Sequence, residues 1–189
     1  YSVFMREFLQ FKKEGMQEAI TDRIKETGLI QTIQDMIERK YRISLFYCFE
    51  RSENKYQDLA TKYNLNMEAI ANDVPLQVIV PQTHPIAKKR SIDVVDLPRY
   101  NLVSFQNFSF SDWLQVLGFQ NDNHVLYVFD RGGLFDAIRE NRYFSVVIKS
   151  APNYSSQNGC VFLPLSGLQE KLKVFLLYEH SYIVNEREQ

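Results

Sequence analysis

The chain has 189 residues, of which 45% are hydrophobic and 14% aromatic, an ordinary globular composition with enough apolar material for a sizeable core. Its net charge of -1, from 22 basic and 23 acidic residues, excludes binding to nucleic acid through overall charge alone. No apolar run approaches the ~20 residues of a membrane span. Lys12, Lys13 and Glu14 interrupt any stretch that resembles a signal peptide. This length suits one large domain or two small lobes.

The two cysteines, Cys48 and Cys160, lie far apart and match no metal-ligand spacing. We therefore expect reduced thiols in a cytoplasmic protein rather than a disulfide. The sequence begins at Tyr1 directly in an amphipathic segment and stops in the polar tail 185–189. We therefore expect it to be a piece of a longer protein.

The first predicted element is a helix over residues 2–14, with Ser2 in the position of an N-cap. Two apolar stripes run along it at helical spacing. The first stripe is Phe4, Phe8 and Phe11, and the second is Met5 and Leu9. A helix that is apolar over so wide an arc has core on both sides, or core on one side and a partner surface on the other.

Residues 17–26 fit either a strand or a helix, and we predict a strand because Thr27 and Gly28 then open a clear helix. That helix, over residues 28–41, has apolar residues at the spacing of one amphipathic face. Residues 42–49 are too short and too rich in β-formers for a helix and predict a buried strand. The order helix, strand, helix, strand predicts an α/β layer with parallel strands and crossover helices.

The remaining sequence continues the alternation. Polar residues 51–66 predict a loop with at most one helical turn at 57–62, and a turn at 72–75 separates two strands within 67–80. Further strands are expected at 101–105, 124–130, 143–149, 160–165 and 171–179. Helices are expected at 111–119, capped by Ser111 and ended by Gly118, and at 131–142, capped by Asp130. The chain thus divides into two α/β halves that join near Val74 and Pro75, with a return near 166–172.

No motif for catalysis is present in the sequence. It contains no GxSxG, HExxH, P-loop or GxGxxG pattern. His84, His124 and His180 are scattered, and none stands at metal-ligand spacing from another His or Cys. We therefore expect neither an enzyme nor a protein that holds a metal or cofactor.

Small polar residues recur where a predicted helix begins. They are Ser2, Thr27 with Gly28, the segment 104–111, and Arg131 with Gly132 and Gly133. In an open α/β sheet the carboxyl ends of strands face a crevice, and helix N-termini there suit an anion. Each residue alone could simply cap a helix, but four such places in a two-lobed chain predict a ligand cleft.

The stretch VIVPQTHPIAKK, residues 78–89, poses a separate question. His84 could be a ligand or catalytic group on a tight turn, or part of a structural corner. Pro85 fixes its own φ and biases His84 away from helix. We therefore predict a corner where a buried strand leaves its sheet.

Several of these segments together resemble the effector-binding domain of LysR-type transcriptional regulators. Residues 67–105 are similar to the passage in which that family has a strand, a "VP..HPLA" turn and a "v.l.dL" segment, here VIVPQTHPIA and IDVVDL, before the strand NLVSF. Residues 124–152 are similar to its next strand, helix and strand. The chain departs from the family where Arg42 replaces an Asp and where NRYFSVVIKS lacks the usual glycines.

The resemblance implies an α/β, two-lobed type-2 periplasmic-binding-protein-like fold. Each lobe would be a small mixed sheet flanked by helices, and two crossover strands would join the lobes. Lobe I would comprise residues 1–74 and 168–189, and lobe II residues 75–167. A winged helix-turn-helix would precede this chain in the full-length protein, so that DNA is bound only through that missing domain.

The same resemblance implies which residues contact an effector in the cleft. They are Ser2, Thr27, Tyr47, Cys48, Ser104, Gln106, Phe108, Arg131 and Gly132. Hydroxyl and N–H groups would contact a small polar or anionic molecule, and aromatic rings would cover its apolar part. Tyr47 and Cys48 could equally be core residues.

Such domains usually pair side by side, which implies a homodimer or a higher homo-oligomer. The interface residues would be Phe4, Met5, Phe8 and Leu9 of one chain against Leu134 and Ile138 of the other. The alternative for the first helix is burial within one chain. A solute-binding protein of a transport system is the second functional hypothesis, and it would need an export signal upstream of Tyr1.

Overall fold

The computed structural model describes residue 10 and residues 23–105, 110–120, 124–149 and 159–182. The strands form two separate sheets, one of three strands and one of six. We call the smaller sheet with its helices lobe I and the larger sheet with its helices lobe II. The two-lobed α/β fold predicted from the sequence is confirmed.

Lobe I is built on a sheet with the order β1-β9-β2. Its elements are α1 (Leu29–Ile37), β1 (Ile43–Phe49), α2 (Glu53–Lys62), β2 (Leu65–Ala71) and β9 (Leu172–Glu179). Both β1 and β2 pair antiparallel with β9, so they run in the same direction but are not neighbours. The parallel strands predicted for the first third were residues 17–26 and 42–49, but residues 23–26 are not a strand. Strand β1 instead runs in the same direction as β2, with the late return strand β9 between them.

The core of lobe I lies on one face of this sheet. Alternate residues of β1, Phe46 and Cys48, point to that face, because side chains alternate along a strand. The two helices cover the face with Ile33, Met36, Tyr56 and Ala60. The rings of Phe46 and Phe175 stack there with centroids 5.4 Å apart.

Lobe II has the strand order β4-β8-β3-β7-β5-β6. Its elements are β3 (Leu76–Pro81), β4 (Ile92–Asp93), β5 (Asn101–Phe105), α3 (Phe110–Val116), β6 (Val125–Val128), α4 (Arg131–Arg139), β7 (Tyr143–Ile148) and β8 (Cys160–Ser166). Strands β5, β6 and β7 are parallel and are linked through α3 and α4. Helix α3 packs with the cluster that includes Leu102, whereas α4 packs with the cluster that includes Val103, so the two helices cover opposite faces.

Two short segments connect the lobes, residues 72–75 and 167–171. The Val74 N–H donates to the Leu172 carbonyl at 2.8 Å, which joins the two connections to each other. The Lys149 N–H donates to the Pro75 carbonyl at 2.8 Å and ties the first connection to β7. Asp73 lies in the predicted turn with φ 58°, a left-handed conformation that a short polar side chain tolerates.

Three local predictions were wrong. Residues 53–62 form α2, a helix of ten residues, rather than a loop with one turn. Residues 23–28 form neither helix nor strand, so the described part of the strand predicted over 17–26 is a connecting segment. Helix α3 begins at Phe110, one residue before the cap predicted at Ser111.

Candidate functional site

The parallel strands of lobe II end at one edge of the sheet, and this edge faces lobe I. Residues Phe105, Val128 and Ile148 are the last residues of β5, β6 and β7. Loops at this edge lead into α3 and α4, as in other open α/β sheets that bind ligands there. Residues that follow this edge contact lobe I, as Arg131 does with Glu26 and Trp113 with Phe49. We call the space between this edge and lobe I the cleft.

Arg131, the first residue of α4, forms an ion pair across this cleft. Its Nε donates to Oε2 of Glu26 at 2.7 Å, and its Nη2 donates to Oε1 of the same carboxylate. The Arg131 side chain is 36% exposed and that of Glu26 66% exposed. Because Glu26 precedes α1 of lobe I, the pair links the two lobes at a position that water reaches.

The segment that carries Glu26 is fixed to lobe I by its neighbour Lys25. The Lys25 ammonium pairs with Oδ2 of Asp35, a residue of α1 that is 2% exposed, and Gln31 donates to the other carboxylate oxygen at 3.0 Å. The hydrogen bond from Lys25 holds the pKa of Asp35 below its usual range. The position of Glu26 therefore follows that of α1.

Tyr47 lies close to both charges of the ion pair. It is a half-buried residue of β1 on the face opposite to Phe46 and Cys48. Burial raises the pKa of Tyr47; the Glu26 carboxylate raises it further and the Arg131 guanidinium opposes them. The hydroxyl is therefore protonated at neutral pH and is available as a donor to an anion.

The N-terminus of α4 is shaped by Asp130. Its Oδ1 accepts a hydrogen bond from the Gly133 N–H at 2.8 Å, which confirms the predicted cap. A Cβ atom at Gly132 would lie 3.0 Å from that oxygen, so glycine keeps the cap uncrowded. Asp130 also places a negative charge directly beside Arg131.

The other predicted contact residues lie in different parts of the structure or outside the described residues. Thr27 follows Glu26 and is half-buried, and Ser104 is 5% exposed near the carboxyl end of β5. Cys48 belongs to the core of lobe I, on the face of β1 opposite to Tyr47, which removes it from the candidate site. Ser2, Gln106 and Phe108 lie outside the described residues.

The residues predicted for a dimer interface also fall into two groups. Phe4, Met5, Phe8 and Leu9 lie outside the described residues. Leu134 and Ile138 are 4% and 0% exposed and pack inside lobe II with Ile79 and Val103. A second chain that contacts α4 would therefore meet other residues of this helix.

Further inter-lobe contacts were not predicted from the sequence. The ring of Phe49, the last residue of β1, stacks on Trp113 of α3 with centroids 5.3 Å apart. Beside it, the Ser52 hydroxyl donates to Oδ2 of Asp112. Glu26 was also missed, although a carboxylate directly before the helix-opening Thr27 was a visible signal.

His84 lies at the opposite end of lobe II, where β3 ends. It is 5% exposed, its N–H donates to the Pro81 carbonyl at 3.0 Å, and its Nδ1 accepts from the Ile86 N–H at 3.4 Å. The Thr83 hydroxyl donates to Asn141 Oδ1 at 2.9 Å, which ties the corner to the end of α4. The predicted structural corner is confirmed, and the cleft lies at the other end of β3.

Comparisons with known proteins connect this geometry to a fold family. No protein-family profile matches the chain, and no curated protein matches it by sequence. Among solved structures, the effector-binding domain of QuiR in complex with shikimate is similar with a TM-score of 0.66 and 16% identity, over 97% of this chain and 84% of that one. The reduced form of the OxyR regulatory domain from Pseudomonas aeruginosa is similar with a TM-score of 0.67 and 15% identity, over 95% and 83%.

A third similar structure is HinK, a LysR family transcriptional regulator from Pseudomonas aeruginosa. Its TM-score is 0.64 at 10% identity, over 98% of this chain and 61% of HinK. The chain has the fold of LysR-type effector-binding domains. Identities this low establish the fold and leave the ligand to be argued from the residues of the cleft.

Other observations concern membranes and metals. Within the part of the chain that the structure describes, no helix is long and apolar enough to cross a bilayer. The same described ranges contain no group of three or more His, Cys, Asp or Glu side chains placed to hold a metal ion. The polar residues described above where the two lobes face each other are Arg131, Glu26, Thr27 and Ser104.

Proposed function

We propose that this chain is the ligand-sensing domain of a LysR-type transcriptional regulator and that it binds a small anionic effector between its lobes. The observation that carries the proposal is Arg131, which extends from lobe II to Glu26 of lobe I in a LysR-type fold. An arginine at such a position suits an anion, and Tyr47 is a further contact candidate. Thr27, Ser104 and Gly132 are the other contact candidates.

The proposed domain limits follow the two sheets. Lobe I comprises residues 1–74 and 168–189, and lobe II comprises residues 75–167. Effector binding changes the closure of the lobes and thereby the arrangement of winged helix-turn-helix domains that precede this chain in the full-length protein. We further propose that the protein is cytoplasmic, catalyses no reaction and acts as a homodimer. Light scattering of the purified domain tests the proposed dimer.

A regulator is favoured over a solute-binding protein of a transport system with the same fold. The similar structures described above include a LysR family transcriptional regulator and an OxyR regulatory domain. The sequence directly upstream of Tyr1 discriminates between the two. A helix-turn-helix there supports the regulator, and an export signal supports the transport protein.

The binding experiment compares two arginines of the same helix. Small organic acids, shikimate among them, are screened by thermal shift, and the strongest ligand is titrated by calorimetry. Arg131→Gln should weaken binding by about 1.5–3 kcal/mol, the cost of losing hydrogen bonds to a charged group. Arg139→Gln, at the far end of α4, is the matched control and should bind like the wild type. Equal affinities for the two variants would contradict the assignment of the cleft.

A further inference from the structure

The carboxylate of Glu26 lies where a carboxylate ligand of the proposed cleft would bind. It accepts hydrogen bonds from Nε and Nη2 of Arg131, the side-on arrangement in which both oxygens of a planar carboxylate meet one guanidinium edge. Glu26 therefore occupies the edge of the Arg131 guanidinium that a carboxylate ligand would use.

We propose that Glu26 is an internal competitor for the ligand and that the ligand carries a singly charged carboxylate that replaces it on Arg131. This inference rests on the proposed function, since it names the ligand class and the regulation of the same cleft. When the ligand displaces the Glu26 carboxylate, the ion pair between Arg131 and lobe I breaks. Ligand binding and the loss of this inter-lobe contact are therefore one event.

The charge around the site favours a monoanion. Asp130 lies next to Arg131, and its carboxylate is held in place by the Gly133 N–H at 2.8 Å. The same carboxylate offsets the positive end of the helix dipole. A doubly charged phosphate on Arg131 would be repelled by Asp130 more strongly than a carboxylate.

The solvent exposure of the Glu26–Arg131 ion pair determines how strongly Glu26 competes with a ligand for Arg131. With side chains 36% and 66% exposed, water screens the attraction and ligand access does not require unfolding. An ion pair of this kind shifts an equilibrium only several-fold. We expect it to weaken the affinity for a carboxylate by about three- to sixfold relative to a chain without the competitor.

The segment that carries Glu26 supports this role through its attachment. Lys25 pairs with the buried Asp35, so the backbone before Glu26 stays with α1 when the ion pair opens. A displaced Glu26 therefore remains close to Arg131 and re-forms the pair when the ligand leaves. Lobe I thus senses the occupancy of Arg131 through residues 25 and 26.

The test uses acetate as the carboxylate probe and inorganic phosphate as the doubly charged probe, at matched ionic strength. The Arg131 Nε–H signal is followed by nuclear magnetic resonance and assigned through its loss in Arg131→Lys. Glu26→Gln should shift this signal and bind acetate about three- to sixfold more tightly than the wild type. Phosphate should perturb the signal less than acetate in both proteins.

Asp136→Asn is the matched control, because Asp136 pairs with Arg139 on the exposed surface of the same helix at 3.3 Å. It should leave acetate binding at Arg131 unchanged. Equal acetate affinities for wild type and Glu26→Gln, or a preference for phosphate, would overturn the inference. The calorimetric titration described above tests the proposed function separately. If an organic acid binds through Arg131 but Glu26→Gln does not increase its affinity, the proposed function stands and only the role of Glu26 is contradicted.

Discussion

The imidazole of His84 packs edge-on against Tyr100, with ring centroids 5.7 Å apart, at the end of lobe II away from the cleft. The ring is 5% exposed and is confined by the corner between Pro81 and Pro85. His84→Asn should therefore lower the free energy of unfolding by about 1–3 kcal/mol, the range for losing a buried side chain's packing. Urea unfolding measures this loss, and the calorimetric affinity for the effector should not change. A variant that loses affinity but not stability would show that the corner belongs to the site.

The same residue makes stability depend on pH. Burial lowers the pKa of His84 below its ordinary value of 6.5. The unfolded chain then binds more protons than the folded chain between the lowered value and 6.5, so stability falls as the pH decreases through that window and no further below it. His84→Asn should remove this part of the acid-induced loss, which unfolding curves at several pH values will show.

The environments of the two cysteines argue against a reactive thiol among the described residues. Burial raises the pKa of the Cys48 thiol to about 12, and burial also raises that of Cys160. Neither forms a disulfide, both are buried, and they belong to different clusters of the core. A protonated, buried thiol is a poor nucleophile, so neither residue suits a reaction with an oxidant.

At the scale of elements, regular patterns were predictable and weakly amphipathic ones were not. The strand β5 matches its prediction residue for residue, because the apolar residues Leu102, Val103 and Phe105 follow the turn signal of Pro98. Helix α2 was missed because only Tyr56 and Ala60 become buried, so its apolar stripe is narrow. Most of its other residues are polar, and a search for hydrophobic periodicity does not detect such a helix.

The candidate site was predictable only in part, for a different physical reason. Arg131 and Gly132 were proposed because strand-to-helix junctions are visible in a sequence. Glu26 was not, because it forms its ion pair with an arginine 105 positions away. Tyr47 and Cys48 are adjacent in sequence, but the alternation of the strand places them on opposite faces, and only Cys48 belongs to the core of lobe I.

The cap of α4 gives a prediction at this scale. Asp130→Ala removes the acceptor of the Gly133 N–H and should lower the free energy of unfolding by about 1 kcal/mol. Asp130→Asn keeps an acceptor oxygen and removes the charge, so its stability should stay close to that of the wild type. Urea denaturation compares the three proteins. Equal losses in both variants would mean that the charge, and not the cap, stabilises this helix.

At the scale of the whole molecule, the largest apolar cluster contains residues of both lobes. Phe49 and Leu172 of lobe I lie in it together with Leu102, Phe144 and Val146 of lobe II. The two connections are hydrogen-bonded to each other beside this cluster through Val74 and Leu172. The lobes therefore share a core near their connections and are joined elsewhere by polar contacts such as Glu26–Arg131. Such an arrangement permits movement at the cleft without separating the folding of the two lobes.

Unfolding should accordingly be a single transition, and Phe49→Ala tests the residue that joins the cores. Phe49 is 3% exposed and stacks on Trp113, the one tryptophan of the sequence, so its truncation should cost about 3–5 kcal/mol and shift the tryptophan emission to longer wavelength. Phe129→Ala is the matched control, because that ring is 71% exposed and its loss should change stability by less than about 0.5 kcal/mol.

Urea titrations followed by tryptophan fluorescence and by far-UV circular dichroism should give one midpoint in the wild type, since the shared cluster couples the lobes. Two separate midpoints in the wild type would show instead that the lobes unfold independently and that Phe49 contributes only to local packing.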